Sequence, residues 1–296
     1  MTKQTADVYQ IITDRIVAIL ENGAAPWRKP WTGAGMNDPV NAVSKKVYRG
    51  INFFMLAISD YASPYWLTYK QAQDLGGYVR KGEKGTPVIF WKMLETKDEQ
   101  GNLLSSEDGG RKIPLLRYYT VFNVEQCEGV TVPEGAKPET FEHDPIEEAE
   151  AVQLAMQNRP TVNIMQSGRA FYSPSKDAVT VPLLSQYAKP EEYYSTLFHE
   201  LVHATGHESR LNREGVAGYA FFGGADYSRE ELVAEMGAAF LCGHCGIENA
   251  TLENSAAYLQ GWIKALRGDK KLAVVAAAQA QKAANYILNI KHVEDE

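Results

Sequence analysis

The chain has 296 residues, 45% of them hydrophobic and 23% charged, with a net charge of −7. These are the proportions of a soluble globular protein. No run of about 18 apolar residues is present, the start MTKQTADVYQ lacks a signal-peptide layout, and three cysteines are too few for a disulfide scaffold. No membrane contact is expected, and the chain reads as cytoplasmic with reduced thiols.

The charge is unevenly spread. Residues 1–130 carry 16 Lys+Arg against 14 Asp+Glu, whereas the remaining 166 carry 14 against 23. That asymmetry suggests two modules. EGVTVPEGAKPETFEHDPIEE, rich in prolines and acids, reads as the linker between them. The expected division is residues 1–130, a linker at 131–148, and residues 149–296.

The first predicted element is a helix in TADVYQIITDRIVAILENG, capped by Thr5 and stopped by Gly23. Aromatic and basic residues then interleave: Trp27, Arg28, Trp31, Lys45, Lys46, Tyr48, Arg49, Trp66, Tyr69, Arg80, Lys81, Lys84, Trp91 and Tyr118. Single-stranded nucleic acid needs this mixture, because bases stack on aromatic faces and cations track phosphates. Part of the aromatic set must instead fill the core of so small a module. VRKGEKGTPVIFW reads as a basic turn leading into a strand, with Arg80, Lys81 and Lys84 on one rim.

After the linker, DPIEEAEAVQLAMQN reads as a helix. TVNIM, AFYSP and AVTVP read as three short strands, most simply an antiparallel meander. KPEEYYSTLFHELVHATG is a strong helix: Pro190 suits its first position, Glu191 and Glu192 suit its positive end, and Gly206 suits C′. His199 and His203 lie four residues apart, so their imidazoles share one face. That spacing lets two neutral ring nitrogens reach one Zn²⁺. Glu200 beside them is placed to take a proton from a water attacking a carbonyl.

A third ligand is required. The position where a metzincin carries its third histidine is Ser209, which excludes that class. His207 and Asp226, in the Gly-rich stretch FFGGADYS, are candidates. Glu231 and Glu235 in SREELVAEMGAAFL are better, because they share one face of a buried helix. Ser228 reads as the cap of that helix, with Glu231 closing a capping box. Tyr227, just before it, is the favoured acid or oxyanion donor over Tyr219, His207 and His244. Cys242 and Cys245 of CGHC read as buried thiols rather than a metal clip. ENSAAYLQGWIKALR and KLAVVAAAQAQKAANYILNI read as two packing helices.

HELVH followed by ELVAE resembles thermolysin-like zincins. The resemblance implies Glu231 as ligand and Glu235 as the acid supporting the first histidine. The supporting acid in that class is Asp, so the reverse assignment stays open.

At a larger scale, GAAPWRKPW, NAVSKKVYRGIN, YWLTYKQAQDLGGYVRKGEKGTPVIFW and YYTVFNVEQC resemble the N-terminal domain of ArdC-type antirestriction proteins. HELVHATGHESRL and YSREELVAEMGAAFL resemble that family's C-terminal zincin-like domain. The resemblance implies an α+β protein: a mixed α/β domain that binds single-stranded DNA, then a zincin-like domain with a small antiparallel sheet and an HExxH helix bundle. It further implies a Zn²⁺ cofactor, with Mn²⁺ as the alternative. The implied role is protection of incoming plasmid DNA from restriction, with a restriction enzyme or another DNA-bound host protein as partner. Two rivals remain: a DNA-binding blocker with a structural metal, and a metal-dependent nuclease. HExxH fits the nuclease poorly, since such enzymes favour carboxylate-rich two-metal sites.

Overall fold

The computed structural model describes residues 7–22, 39–57, 59, 61, 63–95, 112–131, 145–187, 189–213, 216, 225–247 and 256–290. Helix α1 spans Val8–Glu21. Its cap is Asp7, whose carboxylate accepts from the N–H groups of Tyr9 and Gln10 at 3.1 and 3.3 Å. The predicted cap Thr5 and stop Gly23 lie outside the described residues.

The N-terminal half is built on a sheet of β1 (Val40–Asn41), β2 (Tyr65–Thr68), β4 (Thr86–Glu95) and β5 (Lys112–Asn123), ordered β1-β2-β5-β4. β1 runs parallel to β2, and β5 runs antiparallel to both its neighbours. The edge of β4 is covered by helix α2 (Ile51–Ala57). Asn52 there donates to the Ile89 carbonyl at 2.7 Å and accepts from the Ile89 N–H at 2.8 Å, replacing a missing strand. Helix α3 (Tyr69–Asp74) starts at a Thr68 capping box, next to a small ladder of β3 (Tyr78–Val79) and β6 (Cys127–Glu128).

The C-terminal half contains α4 (Pro145–Ala155), β7 (Thr161–Met165), β8 (Phe171–Ser173), β9 (Ala178–Pro182) and α5 (Pro190–Thr205). It continues with α6 (Ala225–Cys245), α7 (Ala256–Gly268) and α8 (Leu272–Ile287). The three strands do not form the expected meander. Their order is β7-β9-β8, with β7 parallel and β8 antiparallel to β9. The cause lies in β9, AVTVP, where all five residues are buried; a strand with no outward polar position belongs in the middle.

Two further expectations change. Ser228 is not a cap but lies inside α6, which begins at Ala225, the first good helix former after two glycines. Gly206 is not a left-handed C′ residue, since its φ is −76°. A Cβ there would sit 2.4 Å from Val216 Cγ2 and 3.1 Å from Arg213 Nη2, so the glycine makes room for two side chains. Gly237 on α6 acts similarly, because a Cβ would lie 2.7 Å from Val202 of α5. The two helices that carry the site chemistry therefore pass in close contact.

One hydrophobic core crosses between the halves. Ile12, Ile16, Val17 and Leu20 of α1, with Phe53 and Phe54 of α2, join the cluster formed by α5, α6, α7 and α8. Phe53 and Phe54 stack against Phe240 of α6, with ring centroids 5.3 and 4.8 Å away. The Thr13 hydroxyl donates to the Lys270 carbonyl at 2.8 Å, and Asp7 and Glu21 pair with Lys270 and Arg267. Of the alanines of α8, Ala278 is exposed and the others are buried in this core. Residues 132–144 lie outside the described residues, and α4 already begins within the segment read as linker. Among the described residues no helix is long and apolar enough to cross a membrane.

Candidate metal centre

Helix α5 carries Pro190 at its start and Glu191 and Glu192 in its first turn, as its dipole favours. His199 and His203 project from it towards α6. Their Nε2 atoms are 3.1 Å apart. The Glu231 carboxylate lies 3.6 Å from His199 Nε2 through one oxygen and 3.5 Å from His203 Nε2 through the other. Two ligand atoms of a tetrahedral zinc site, each about 2.0–2.1 Å from the ion, stand roughly 3.3 Å apart. The three side chains therefore fit one divalent ion, and their ligand atoms all lie within 4.8 Å of one another.

Each histidine is backed by a further acid. Glu235 Oε1 lies 3.8 Å from His199 Nδ1, and Glu230 Oε1 lies 3.3 Å from His203 Nδ1. The pairing order means that α5 and α6 run in opposite directions past the site. Glu230 is itself held by the buried Arg213 through two hydrogen bonds, at 2.5 and 3.1 Å.

The electrostatics also call for a cation. Glu200, Glu230 and Glu235 are buried and Glu231 nearly so, and among them Glu230 is paired with the buried guanidinium of Arg213. Burial lifts the Glu200 carboxyl above its usual range, and the Glu231 charge adds to this. Burial pulls His203 down, but hydrogen bonds to Glu230 and Glu231 outweigh it and raise the ring well above the ordinary value. Excess buried negative charge that draws protons onto imidazoles would be neutralised equally by a divalent ion.

Models of two families match the chain: the N-terminal domain of the anti-restriction factor ArdC over residues 6–122, and a zincin-like metallopeptidase over residues 148–280. The crystal structure of the antirestriction protein ArdC from plasmid R388, metal-free, has a TM-score of 0.75 at 37% identity, covering 97% of this chain and 100% of that one. This chain belongs to the ArdC antirestriction family. The Mn(II)-bound structure of the same R388 protein matches with a TM-score of 0.73 at 36% identity, covering 96% of this chain and 98% of the other. The protein y4eC of Sinorhizobium fredii is 36% identical over 97% of this chain and 93% of its own length. Two DNA primases TraC of Escherichia coli are 35% and 36% identical over 95% of this chain, which spans only 20% and 27% of their length.

In this ArdC-family chain the aromatic and basic residues of the N-terminal half separate into two groups. Tyr48 and Trp66 are core residues, 7% and 2% exposed, packed with Leu56, Val88 and Val121. They offer no face to a base, which corrects the expectation for both. Lys45, Lys46, Arg49, Tyr69, Arg80, Lys81 and Lys84 are exposed. Arg80 is already paired with Glu83 at 2.8 Å, and Lys45 Nζ lies 5.1 Å from the centroid of the Tyr65 ring. Trp91 and Tyr118 are also exposed, at 53% and 41%. The β4–β5 register places them diagonally on one face of the hairpin. Trp27, Arg28, Trp31 and Tyr219, and the side chains of Asp226 and Tyr227, lie outside the described residues.

Of the remaining candidates, His207 turns onto the Ser209 hydroxyl at 2.8 Å, and His244 faces Glu148 at 3.6 Å. Cys242 and Cys245 are buried thiols outside any disulfide. The sequence reading missed Glu230 and Arg213, and it missed a second arginine contact. Arg210 donates to the carbonyls of Ala204 and Asn158, both at 2.7 Å, and pairs with Asp177. The Tyr172 hydroxyl of β8 donates to the same Asp177 at 2.8 Å. Arg210 thereby fastens the sheet to the end of α5.

Burial alone would raise the Asp177 carboxyl. Hydrogen bonds from Arg210 and Tyr172 outweigh it and hold the group below its usual range. A depressed carboxyl contributes stability above its unfolded pKa and loses it as pH falls through the folded value. Asp177→Asn is therefore expected to lower the melting temperature at pH 7 and to lower it progressively less as the pH falls below the ordinary carboxylate value. Thermal melts of both proteins across that range check this.

Proposed function

We propose that this chain is an antirestriction protein that binds single-stranded DNA and holds one divalent ion, Zn²⁺ or Mn²⁺, between His199, His203 and Glu231. The observation that carries the metal assignment is the convergence of those three ligand atoms in an ArdC-family chain. Glu235 supports His199 from behind in this reading, and Glu231 is the ligand because it faces both Nε2 atoms.

The bound ion would polarise a peptide carbonyl and acidify a water beside it. Glu200, next to the ligands and buried with them, takes the proton of the attacking water. A backbone hydrogen bond from Tyr172 of β8 orients its carboxylate. Tyr227, in the first turn of α6, is the proposed donor to the developing oxyanion.

For DNA, the proposed contacts are Trp27, Arg28, Trp31, Lys45, Lys46, Arg49, Tyr69, Arg80, Lys81 and Lys84, with Trp91 and Tyr118 as stacking platforms. The name of the TraC relatives agrees with this, because a primase works on a single-stranded template. The protein would act in the cytoplasm on plasmid DNA entering a new host. Its target there would be a restriction enzyme or another DNA-bound protein.

The burial of His199 and Glu200 favours a second reading, in which the ion is structural and protection comes from blocking. Glu200→Gln separates the two. On the catalytic reading it lowers hydrolysis of a casein-type substrate by at least about 10²-fold and abolishes protection, while metal and single-stranded DNA binding persist. Full protection by Glu200→Gln in a conjugation assay would leave the blocking reading.

A further inference from the structure

We infer that Arg213 and Glu230 are a positioning pair that sets the His203 ring towards the metal; this rests on the metal reading above. An imidazole that ligates through Nε2 must carry its proton on Nδ1 and needs an acceptor there. Glu230 Oε1, at 3.3 Å, is that acceptor.

Glu230 cannot swing away. Arg213 grips both its oxygens, from Nη2 at 2.5 Å and from Nε at 3.1 Å, in the two-pronged geometry that arginine gives a carboxylate. The guanidinium is fixed in turn by α5. Its Nη1 donates to the Thr205 hydroxyl at 2.6 Å and its Nη2 to the Val202 carbonyl at 2.7 Å, while the Arg213 N–H donates to the Gly206 carbonyl at 3.0 Å. Gly206 leaves the space that the guanidinium occupies. The chain leaves α5, turns, and returns an arginine against the helix it has just left.

A buried ion pair is weak evidence for stability, since apolar residues of similar volume often do as well. This pair costs two buried charges, and its carboxylate ends on a ligand ring. Positioning explains that expense where stability does not. The two histidines are also served unequally: His199 has Glu235 at 3.8 Å, and His203 has the shorter, cation-anchored contact.

The test is Mn²⁺ affinity of the full chain, by calorimetry on chelator-stripped protein, with the melting temperature of each metal-free variant measured alongside. Glu230→Gln keeps the shape and removes the charge, and it is expected to weaken Mn²⁺ about tenfold. Arg213→Met is expected to weaken it within the 10–100-fold range of such supports, and Arg213→Lys to recover part of the loss. A purely structural pair would lower the metal-free melting temperature and leave the affinity alone. Wild-type affinity in Glu230→Gln overturns the pair and spares the metal site. Absence of Mn²⁺ binding in the wild type overturns the metal site and the pair with it.

Discussion

Stripping the divalent ion from this protein should lower its melting temperature by roughly 10 °C. A ligand present at about 1,000 times its Kd stabilises the folded state by roughly 4 kcal/mol. For chains of 150–250 residues each kcal/mol moves the transition by about 2–4 °C. The site should deliver this in full, because the ion also relieves the repulsion among Glu200, Glu230, Glu231 and Glu235. Restoring Zn²⁺ or Mn²⁺ to the stripped protein should restore the transition. His203→Ala should melt at the same temperature with and without the ion. Differential scanning calorimetry reads all of these, and an identical melt for stripped and loaded wild type would remove the ion from the folding equilibrium.

The second large effect concerns the seam between the halves. Ile16 of α1 is 1% exposed in a core that α1 shares with α2, α4, β9, α5, α6, α7 and α8. Ile16→Asp forfeits about 2–3 kcal/mol of apolar burial and adds the larger cost of a buried, unpaired carboxylate. The sum approaches the 5–15 kcal/mol that holds a typical protein together. Because the core is shared, the damage should reach the metal half, although the substitution lies far from it in sequence. Urea unfolding of the wild type should show one transition by circular dichroism and by Mn²⁺ release. Ile16→Asp should lose both signals together at much lower urea. A variant that keeps native Mn²⁺ affinity and native urea resistance would show that the halves stand independently.

The metal helix was legible in sequence because its signals are local. Apolar spacing, Pro190 at the start and two histidines four apart all follow from the period of one helix. Glu231 and Glu235 were legible for the same reason, although only the resemblance to zincins ordered their roles. Glu230 and Arg213 were not legible. Glu230 lies on a neighbouring flank of α6 and meets His203 only because the two helices run antiparallel past each other, which no single-helix period reveals. The strands of the C-terminal sheet were legible as strands but not in their pairing, since AVTVP shows burial and not which neighbours flank it. Tyr48 and Trp66 show the remaining ambiguity: aromatic residues beside cations serve a core and a stacking platform equally well until burial is known. The shared core was hidden because α1 precedes its partners α7 and α8 by more than 200 residues, and charge composition reports segments rather than contacts.

Metal content decides the matter most directly. Full-length protein is loaded with Zn²⁺, passed through a desalting column and measured by elemental analysis, beside His199→Ala treated identically. The expected result is one zinc per chain in the wild type and none in the variant. A wild type that elutes without zinc, or a variant that keeps as much, would contradict the assignment of His199, His203 and Glu231 as a metal centre.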